Sequence, residues 1–300
     1  MHERLRSGSL GAVPCLLLIC ASAVAGVAAP GSDPAATLRQ RHVSMQEQLR
    51  TNQFGRPLVL DSIETADRLQ GDIYAIVDYP LDKVSAGLAS PDHWCDVMLL
   101  HINTKYCHAM AGPSGTVLRV NVGGKKQEAL ADSGRIEFRF SAAAATPDYF
   151  ATALDAENGP LGTSDYRVRL EAVALPNART FVHLTYSYTI NLAARLAMKT
   201  YLGTVGNDKV GFTLSSTQVG GQASHIGGVR GLVERNTMRY YLAIDSFLGA
   251  TDAVAAVRLE HRLQSWFTAV ERYPRQLHEM DRAEYLEMKR AEHLRQQTER

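Results

Sequence analysis

Two cysteines and two histidines form the densest group of chemically reactive side chains in the sequence. They are His93, Cys95, Cys107 and His108, and the cysteine spacing allows a turn and the following strand to lie side by side. A disulfide between Cys95 and Cys107 would close a short loop, worth roughly 2–3 kcal/mol. Two separate buried thiols are a second interpretation. Zinc is a third, although the regular C-x-x-C and H-x-x-x-H spacings are missing. We expect the disulfide and no metal site.

Two further histidines and one carboxylate could transfer protons. His101 and His183 lie in strand-like segments. They could form a proton-transfer pair in a pocket, but we favour the interpretation that each is a hydrogen-bonded structural residue. Asp245 interrupts an otherwise apolar helix, so it either faces solvent or requires an arginine or tyrosine hydroxyl as partner. The G-x-S-x-G, H-E-x-x-H, P-loop and G-x-G-x-x-G motifs are missing. This pattern favours a protein that is not an enzyme and has no cofactor.

The first 29 residues have the three parts of a secretory signal peptide. Arg4 and Arg6 supply the positive end, the run from Leu10 to Val27 is apolar and uncharged, and small residues lead up to Ala25. We predict cleavage near Ala25 and a periplasmic or secreted mature protein. An uncleaved membrane anchor is the alternative, because the run is long enough to span a bilayer. Export would place the cysteines in an oxidising compartment, which favours a disulfide.

The overall composition is typical of a globular chain with a substantial core. Of the 300 residues, 45% are apolar and 21% are charged, and the formal net charge is +1. A balanced surface gives no electrostatic reason to expect nucleic acid or an anionic membrane as partner.

The predicted elements divide the chain after residue 29 into three parts. Residues 30–56 form a polar lead-in with a surface helix, which we expect to be loosely attached. Residues 57–249 hold short alternating strands, typical of an antiparallel meander, and a helix over 232–248 that is apolar nearly all round. Residues 250–300 are a helical extension whose last segment, 276–300, mixes acidic and basic side chains as solvated helices do. The fold class is α+β. The predicted strands within it are 72–78, 104–109, 116–122, 135–140, 149–156, 165–175 and 180–190.

The segment from Tyr79 to Leu88, followed by Pro91-Asp92-His93-Trp94, resembles the START-like, or helix-grip, superfamily of lipid-transfer domains and polyketide cyclases. In that family a first strand ends in a proline-containing phrase and leads to a P-x-x-x-V-x-x-x-L helix and a D-P-x-x-W turn. The resemblance covers about residues 58–249. This sequence departs from it by an additional helix and a glycine-rich loop before the long helix, and by the extension after Gly249. The phrases HWCDVMLLHINTKYC and RGLVERNTMRYYLAIDSFLG also resemble those of uncharacterised exported proteins of proteobacteria.

The resemblance implies a curved antiparallel sheet that grips a long helix, with a cavity between them. The side chains expected to line that cavity come from the longest strand and from the helix, namely Val182, Leu184, Tyr186, Tyr188, Tyr241, Ile244 and Asp245. Such a cavity suits a hydrophobic small molecule, most simply a lipid, and an exported carrier is the function that we expect. The same side chains could instead fill a solid core. A cyclase-like or hydrolytic enzyme with a pocket His or Asp, and an envelope accessory protein that binds partners through residues 250–300, are the alternatives.

Overall fold

The structure, a computed structural model, describes residues 33–113, 115–204, 208–219 and 222–299. The predicted signal peptide and its cleavage site lie outside the described residues. No helix in the described ranges is both long enough and apolar enough to cross a bilayer.

The described elements are numbered in chain order. They are α1 (Pro34–Ser44), α2 (Gln46–Arg50), β1 (Leu58–Glu64), β2 (Arg68–Val77), α3 (Leu81–Leu88), α4 (Pro91–Leu100), β3 (Thr104–Gly112), β4 (Gly115–Val122), a 3-10 turn (Leu130–Asp132), β5 (Gly134–Ala145), β6 (Tyr149–Asn158), β7 (Thr163–Leu175), β8 (Arg179–Ile190), α5 (Leu192–Gly203), β9 (Leu214–Val219), β10 (Gln222–His225), α6 (Gly228–Gly249), α7 (Ala255–Val270), α8 (Pro274–Leu277) and α9 (Arg282–Thr298).

The strands β1 to β8 form one antiparallel sheet in the order β1-β2-β8-β7-β6-β5-β4-β3. The predicted meander is confirmed, and β2 closes it by pairing with β8 rather than with β3. Side chains alternate across the sheet as strand geometry requires. On β7, for example, Val168 and Leu170 are buried whereas Arg167 and Arg169 are exposed. The α+β fold class with a curved sheet is therefore confirmed.

The long helix α6 lies against the inner face of the sheet, as predicted for a helix that is apolar nearly all round. It packs on β1, β2 and β8 and is also covered by α4 and α7. Gly71 on β2 marks the closest approach, because a Cβ atom there would collide with the Thr237 side chain of α6. The sheet and helix thus enclose one large apolar core between them.

The outer face of the sheet carries a second, smaller core beneath α1 and α2. Leu38, Met45 and Leu49 from these helices pack with Phe181 and Val173 from the sheet. The expectation of a loosely attached lead-in is therefore wrong for the described residues 33–56. The apolar positions of this segment are few, but the helix turns bring them to one side.

The C-terminal segment is likewise packed rather than solvated, which corrects the sequence prediction. Tyr285 of α9 is fully buried, stacks on Trp266 of α7 with ring centroids 4.9 Å apart, and donates to the carbonyl of Leu100. The charged side chains Lys289 and Glu292 are also fully buried. Their partners lie on distant strands and turns, which charge spacing within the segment cannot show. The domain boundaries near residues 57 and 249 stay predictions.

Cys95 and Cys107 form a disulfide, with their Cα atoms 5.1 Å apart. The bond joins α4 to β3, so the predicted pairing is confirmed and neither thiolate is free for zinc. The segment around His93 and Trp94 was expected to be a turn, but it is the first half of α4, begun by Pro91 at its N-terminus. Trp94 is buried, and its indole N–H donates to the carbonyl of Leu88 at the end of α3.

Candidate functional site

Four tyrosines form a contiguous group on the inner side of the sheet, the tyrosine cluster of Tyr166, Tyr186, Tyr188 and Tyr240. Tyr166 and Tyr188 stack with their ring centroids 5.2 Å apart, and Tyr186 lies 5.6 Å from Tyr188. Tyr240 comes from α6 and reaches Tyr186 at 5.1 Å. The cluster therefore bridges the strands β7 and β8 and the helix that they grip.

Three hydroxyls of the tyrosine cluster have no hydrogen-bond partner in the part of the chain that the structure describes. Tyr166 donates to Thr163 Oγ1 at 2.9 Å, but no described residue bonds the hydroxyl of Tyr186, Tyr188 or Tyr240. Burial raises the pKa of all three phenols, so they stay protonated donors. Yet they keep 6%, 4% and 9% of their surface exposed. A small part of each of these side chains is therefore accessible to solvent.

His101 adds a fourth unpaired donor at the edge of this cluster. Its ring stacks on Tyr240 with the centroids 4.6 Å apart, and its Nδ1 accepts the backbone N–H of Asn103 at 3.2 Å. Burial, with the cations of Arg239, Lys289 and Lys105 nearby, lowers the pKa of His101 well below its usual value. The imidazole is therefore neutral, and its proton sits on Nε2, which is buried and has no partner among the described residues.

The predicted site residues divide into two groups in the structure. Val182, Leu184, Tyr186 and Tyr188 alternate onto the inner face of β8, and Ile244 is buried on α6. Tyr241 and Asp245 lie on a different side of α6. Asp245 forms an ion pair with Arg56 at 2.9 Å, and the Arg56 guanidinium sits 5.0 Å from the Tyr241 ring centroid. These two residues therefore do not join the tyrosine cluster.

Tyr240 and Tyr166 were missed by the sequence reasoning. Tyr240 and Tyr241 are neighbours on a helix that is buried nearly all round, so hydrophobicity alone does not show which one faces the sheet. Spacing does not decide either, because both tyrosines lie three or four residues from Thr237 and from Ile244. Tyr166 begins the alternation of β7 and lies on the same face as Val168.

His183 belongs to a separate polar network on the outer face of the sheet. Its Nε2 lies 2.9 Å from Asp72 Oδ1, its Nδ1 lies 3.4 Å from Glu171 Oε2, and its ring stacks on Tyr74 at 4.1 Å. Burial opposes the charge on His183, but hydrogen bonds to the two carboxylates raise its pKa. His101 was expected in a strand but follows the last residue of α4, on the inner side of the sheet, whereas His183 lies on the outer face of β8. The two histidines therefore cannot act as a proton-transfer pair.

The remaining candidate chemistry is limited within the described ranges. No three His, Cys, Asp or Glu side chains there are grouped so that they could hold a metal ion. The inner site thus offers only neutral donors, apolar walls and aromatic faces, which can bind and orient a molecule of low polarity.

Comparison with known structures finds chains that are similar to this one over about half to two thirds of its length. The chain is similar to a protein from Thermus thermophilus (10% identity over 61% of this chain and 99% of that one, TM-score 0.41). It is also similar to an aromatase/cyclase from a Streptomyces species, with 16% identity over 69% of this chain and 95% of that one and a TM-score of 0.33. A third similar structure is a START superfamily protein from Mycobacterium smegmatis, with 15% identity over 47% of this chain and 93% of that one and a TM-score of 0.30. No protein-family model and no curated protein matches the chain. At these identities and TM-scores the matches are likenesses alone, and the architecture rests on the chain itself, in which a curved antiparallel sheet packs against a long helix.

Proposed function

We propose that this protein binds and carries a hydrophobic small molecule, most simply a lipid, with an oxygen-bearing end, on the inner side of its sheet. The proposal rests on four neighbouring side chains whose donors have no hydrogen-bond partner among the described residues: the hydroxyls of Tyr186, Tyr188 and Tyr240 and the Nε2–H of His101. His101 Nε2 is fully buried, and a buried donor without an acceptor costs roughly 1–3 kcal/mol. A ligand oxygen at this point would recover that free energy.

The walls of the site support a largely apolar ligand. Val182, Leu184 and Ile244 surround the tyrosines with aliphatic surface, and the aromatic faces favour flat or chain-like apolar groups. No charged side chain belongs to the cluster itself, although the Arg235 guanidinium lies near Tyr188 and the Arg239 guanidinium lies near His101. The apolar walls are therefore the reason to expect a molecule with few polar atoms.

Extraction of the native protein tests the proposal directly. Protein purified from its producing cells is extracted with organic solvent, and the extract is analysed by mass spectrometry. We expect one compound class at about one molecule per chain. Extracts that contain no such compound, together with protein that binds no long-chain fatty alcohol or fluorescent apolar probe, would contradict carriage.

Two conservative variants locate the ligand. Tyr240→Phe removes a hydroxyl from the tyrosine cluster, whereas Tyr241→Phe removes a buried and unpaired hydroxyl next to Arg56. We expect Tyr240→Phe to weaken binding about five- to tenfold, the value of one hydrogen bond, and Tyr241→Phe to leave it unchanged. The opposite order would move the site to the Arg56 side of α6, where Tyr241 and Asp245 of the predicted set lie.

An enzymatic role is the second candidate function, and one observation favours it. His101 presents a neutral Nε2–H beside the Tyr240 ring, and such a group can donate a hydrogen bond that polarises a bound carbonyl oxygen. A cyclase-like reaction is therefore an alternative in which His101 acts without His183. Turnover of an extracted ligand that His101→Gln abolishes would support it, and unchanged ligand after prolonged incubation would exclude it.

The proposed site of action is the periplasm or the extracellular medium. The signal-like residues 1–29 support it, and so does the disulfide, which persists in oxidising compartments. The mass of the protein from fractionated cells tests cleavage near Ala25. A full-length protein in the cytoplasm would contradict export, whereas a full-length protein in the membrane fraction would indicate the anchor. An envelope partner that binds through residues 250–300 also stays a proposal.

A further inference from the structure

A second concave site lies on the other side of α6, away from the tyrosine cluster. This arginine groove has a volume of about 290 Å³ and is lined by Arg56, Asp245, Ser246, His261, Gln264, Ser265, Thr268, Ala269, Arg272 and Arg282. Seven of these ten residues belong to the extension after Gly249. The groove is therefore formed mostly by the helices α7 and α9 and the turn between α7 and α8.

Two of the three arginines are held in place. Arg56 donates to Asp245 at 2.9 Å, and its guanidinium lies over the Tyr241 ring. Arg282 donates to Gln264 at 2.8 Å and to Thr268 at 3.2 Å, and its guanidinium lies 4.8 Å from the Phe267 ring centroid. Each contact fixes an arginine but leaves further N–H groups to donate, since a guanidinium carries five. The cations are thus positioned before any ligand arrives.

The groove also contains hydrogen-bond donors that have no partner among the described residues. Among the residues that the structure describes, none accepts from the Arg272 guanidinium or bonds the hydroxyls of Ser246 and Ser265. Serines inside helices usually bond a carbonyl of the preceding turn, and Thr268 does so with Gln264 at 2.8 Å. Ser246 is nearly fully buried as a residue and lines the groove.

The charges in the groove do not balance. Asp245 neutralises Arg56, whereas Arg272 and Arg282 have no carboxylate partner among the described residues. The groove therefore holds a surplus of two positive charges in a protein whose overall charge is nearly zero.

We propose that the arginine groove binds a phosphate group carried by a small organic molecule or by a lipid. Guanidinium groups match the oxygens of phosphate in pairs, and hydroxyl donors complete its tetrahedral set from other directions. A carboxylate offers only two oxygens in one plane and would leave several of these donors unpaired. The volume is at the small end of the range for ligand pockets, about 300–1,000 Å³, and holds a phosphate with a short attached group. This inference does not depend on the proposed carriage of an apolar ligand.

The test uses the complete mature chain, which begins after the predicted cleavage site near Ala25, and two kinds of probe. Inorganic phosphate is titrated by calorimetry in a low-salt sulfonate buffer, and vesicles of phosphatidylcholine, with and without phosphatidic acid, are tested by co-sedimentation. The double variant R272Q/R282Q removes the two unpaired charges. R275Q is the matched control, because Arg275 is exposed on α8 and does not line the groove. Circular dichroism is used to check that both variants are folded.

We expect saturable binding of at least one probe, a loss of about tenfold or more in R272Q/R282Q, and a change under about twofold in R275Q. Binding of free phosphate alone identifies a soluble phosphorylated ligand, whereas binding of vesicles only when they contain phosphatidic acid identifies a lipid headgroup. Either result supports the groove. The proposal is overturned if neither probe binds, or if R275Q weakens binding as much as the double variant, since the effect would then be one of general surface charge.

Discussion

The fully buried carboxylate of Glu292 provides the sharpest test of how the C-terminal extension is held. Its Oε1 lies 3.1 Å from Lys105 Nζ on β3, its Oε2 lies 2.7 Å from Lys289 Nζ on α9, and all three side chains are 0% exposed. Lys289 also donates to the carbonyls of His101 at 2.7 Å and Thr104 at 2.8 Å. One carboxylate therefore compensates two ammonium groups that have no access to water.

The substitution Glu292→Gln keeps the shape of the side chain and removes its charge. Breaking a buried ion pair by removing one partner costs about 3–5 kcal/mol. We expect a loss of stability in this range at pH 7, because both ammonium groups would be left without a negative charge. Lys289→Met should cost less, since Lys105 and Glu292 remain as a neutral pair.

The loss should also depend on pH. Burial lowers the pKa of Lys289 to about 8 in spite of Glu292, whereas its ordinary value is 10.5. The folded state therefore binds fewer protons than the unfolded state between these values, so stability rises with pH across that window. Without Glu292 the window extends to lower pH, and part of the loss in Glu292→Gln should be recovered by raising the pH.

Urea unfolding followed by tryptophan fluorescence measures these effects, since Trp266 stacks on Tyr285 of α9. Glu284→Gln is the control, because Glu284 is exposed on the same helix and its loss should stay within about 0.5 kcal/mol. If Glu292→Gln and Glu284→Gln unfold at the same urea concentration, α9 does not hold Glu292 in a water-free environment and our account of the extension is refuted.

Three further predictions follow. Reduction of Cys95–Cys107, or its replacement by serines, should lower the unfolding free energy by about 3 kcal/mol for a loop of 12 residues, and an identical urea midpoint with and without reductant would contradict the bond. A chain ended at Gly249 should fail to fold, because it lacks Trp266 and Tyr285; a soluble product with native circular dichroism would show that the extension is dispensable. The raised pKa of His183 means that its stabilisation is fully present below pH 6.5 and is lost as the pH rises through the pKa of the folded state. The urea midpoint of His183→Gln should not show this decline at higher pH, and midpoints that change with pH in the same way in both proteins would contradict the prediction.

The strands and the disulfide were predictable because their signals are local. Alternation on β7 and β8 defines the inner and outer faces residue by residue, and export supports pairing of Cys95 with Cys107. The gripping helix α6 was also evident, because its apolar residues go nearly all round. These features need no knowledge of which distant elements meet.

The errors arose where partners distant in sequence decide the outcome. Lys105 and Glu292 are 187 positions apart, so the charges of α9 resemble those of a solvated helix until the fold brings Lys105 to them. The choice of Tyr241 over Tyr240 has the same origin, since the helix phase is set by the contact between Gly71 and Thr237. The arginine groove combines residue 56 with residues 245–282, and no local motif marks it.

The position of α9 has a consequence for the order in which the chain can mature. β3 is an edge strand of the sheet and pairs with another strand on one side only. The segment of α9 covers its other side, because Lys289 donates a hydrogen bond to the Thr104 carbonyl and the Tyr106 hydroxyl donates to the Glu299 carbonyl. An open strand edge is a template for pairing with other chains. During synthesis β3 emerges well over a hundred residues before α9. Until α9 has been synthesised, the edge of β3 is open to pairing with other chains. A holding chaperone should therefore be most needed in that interval.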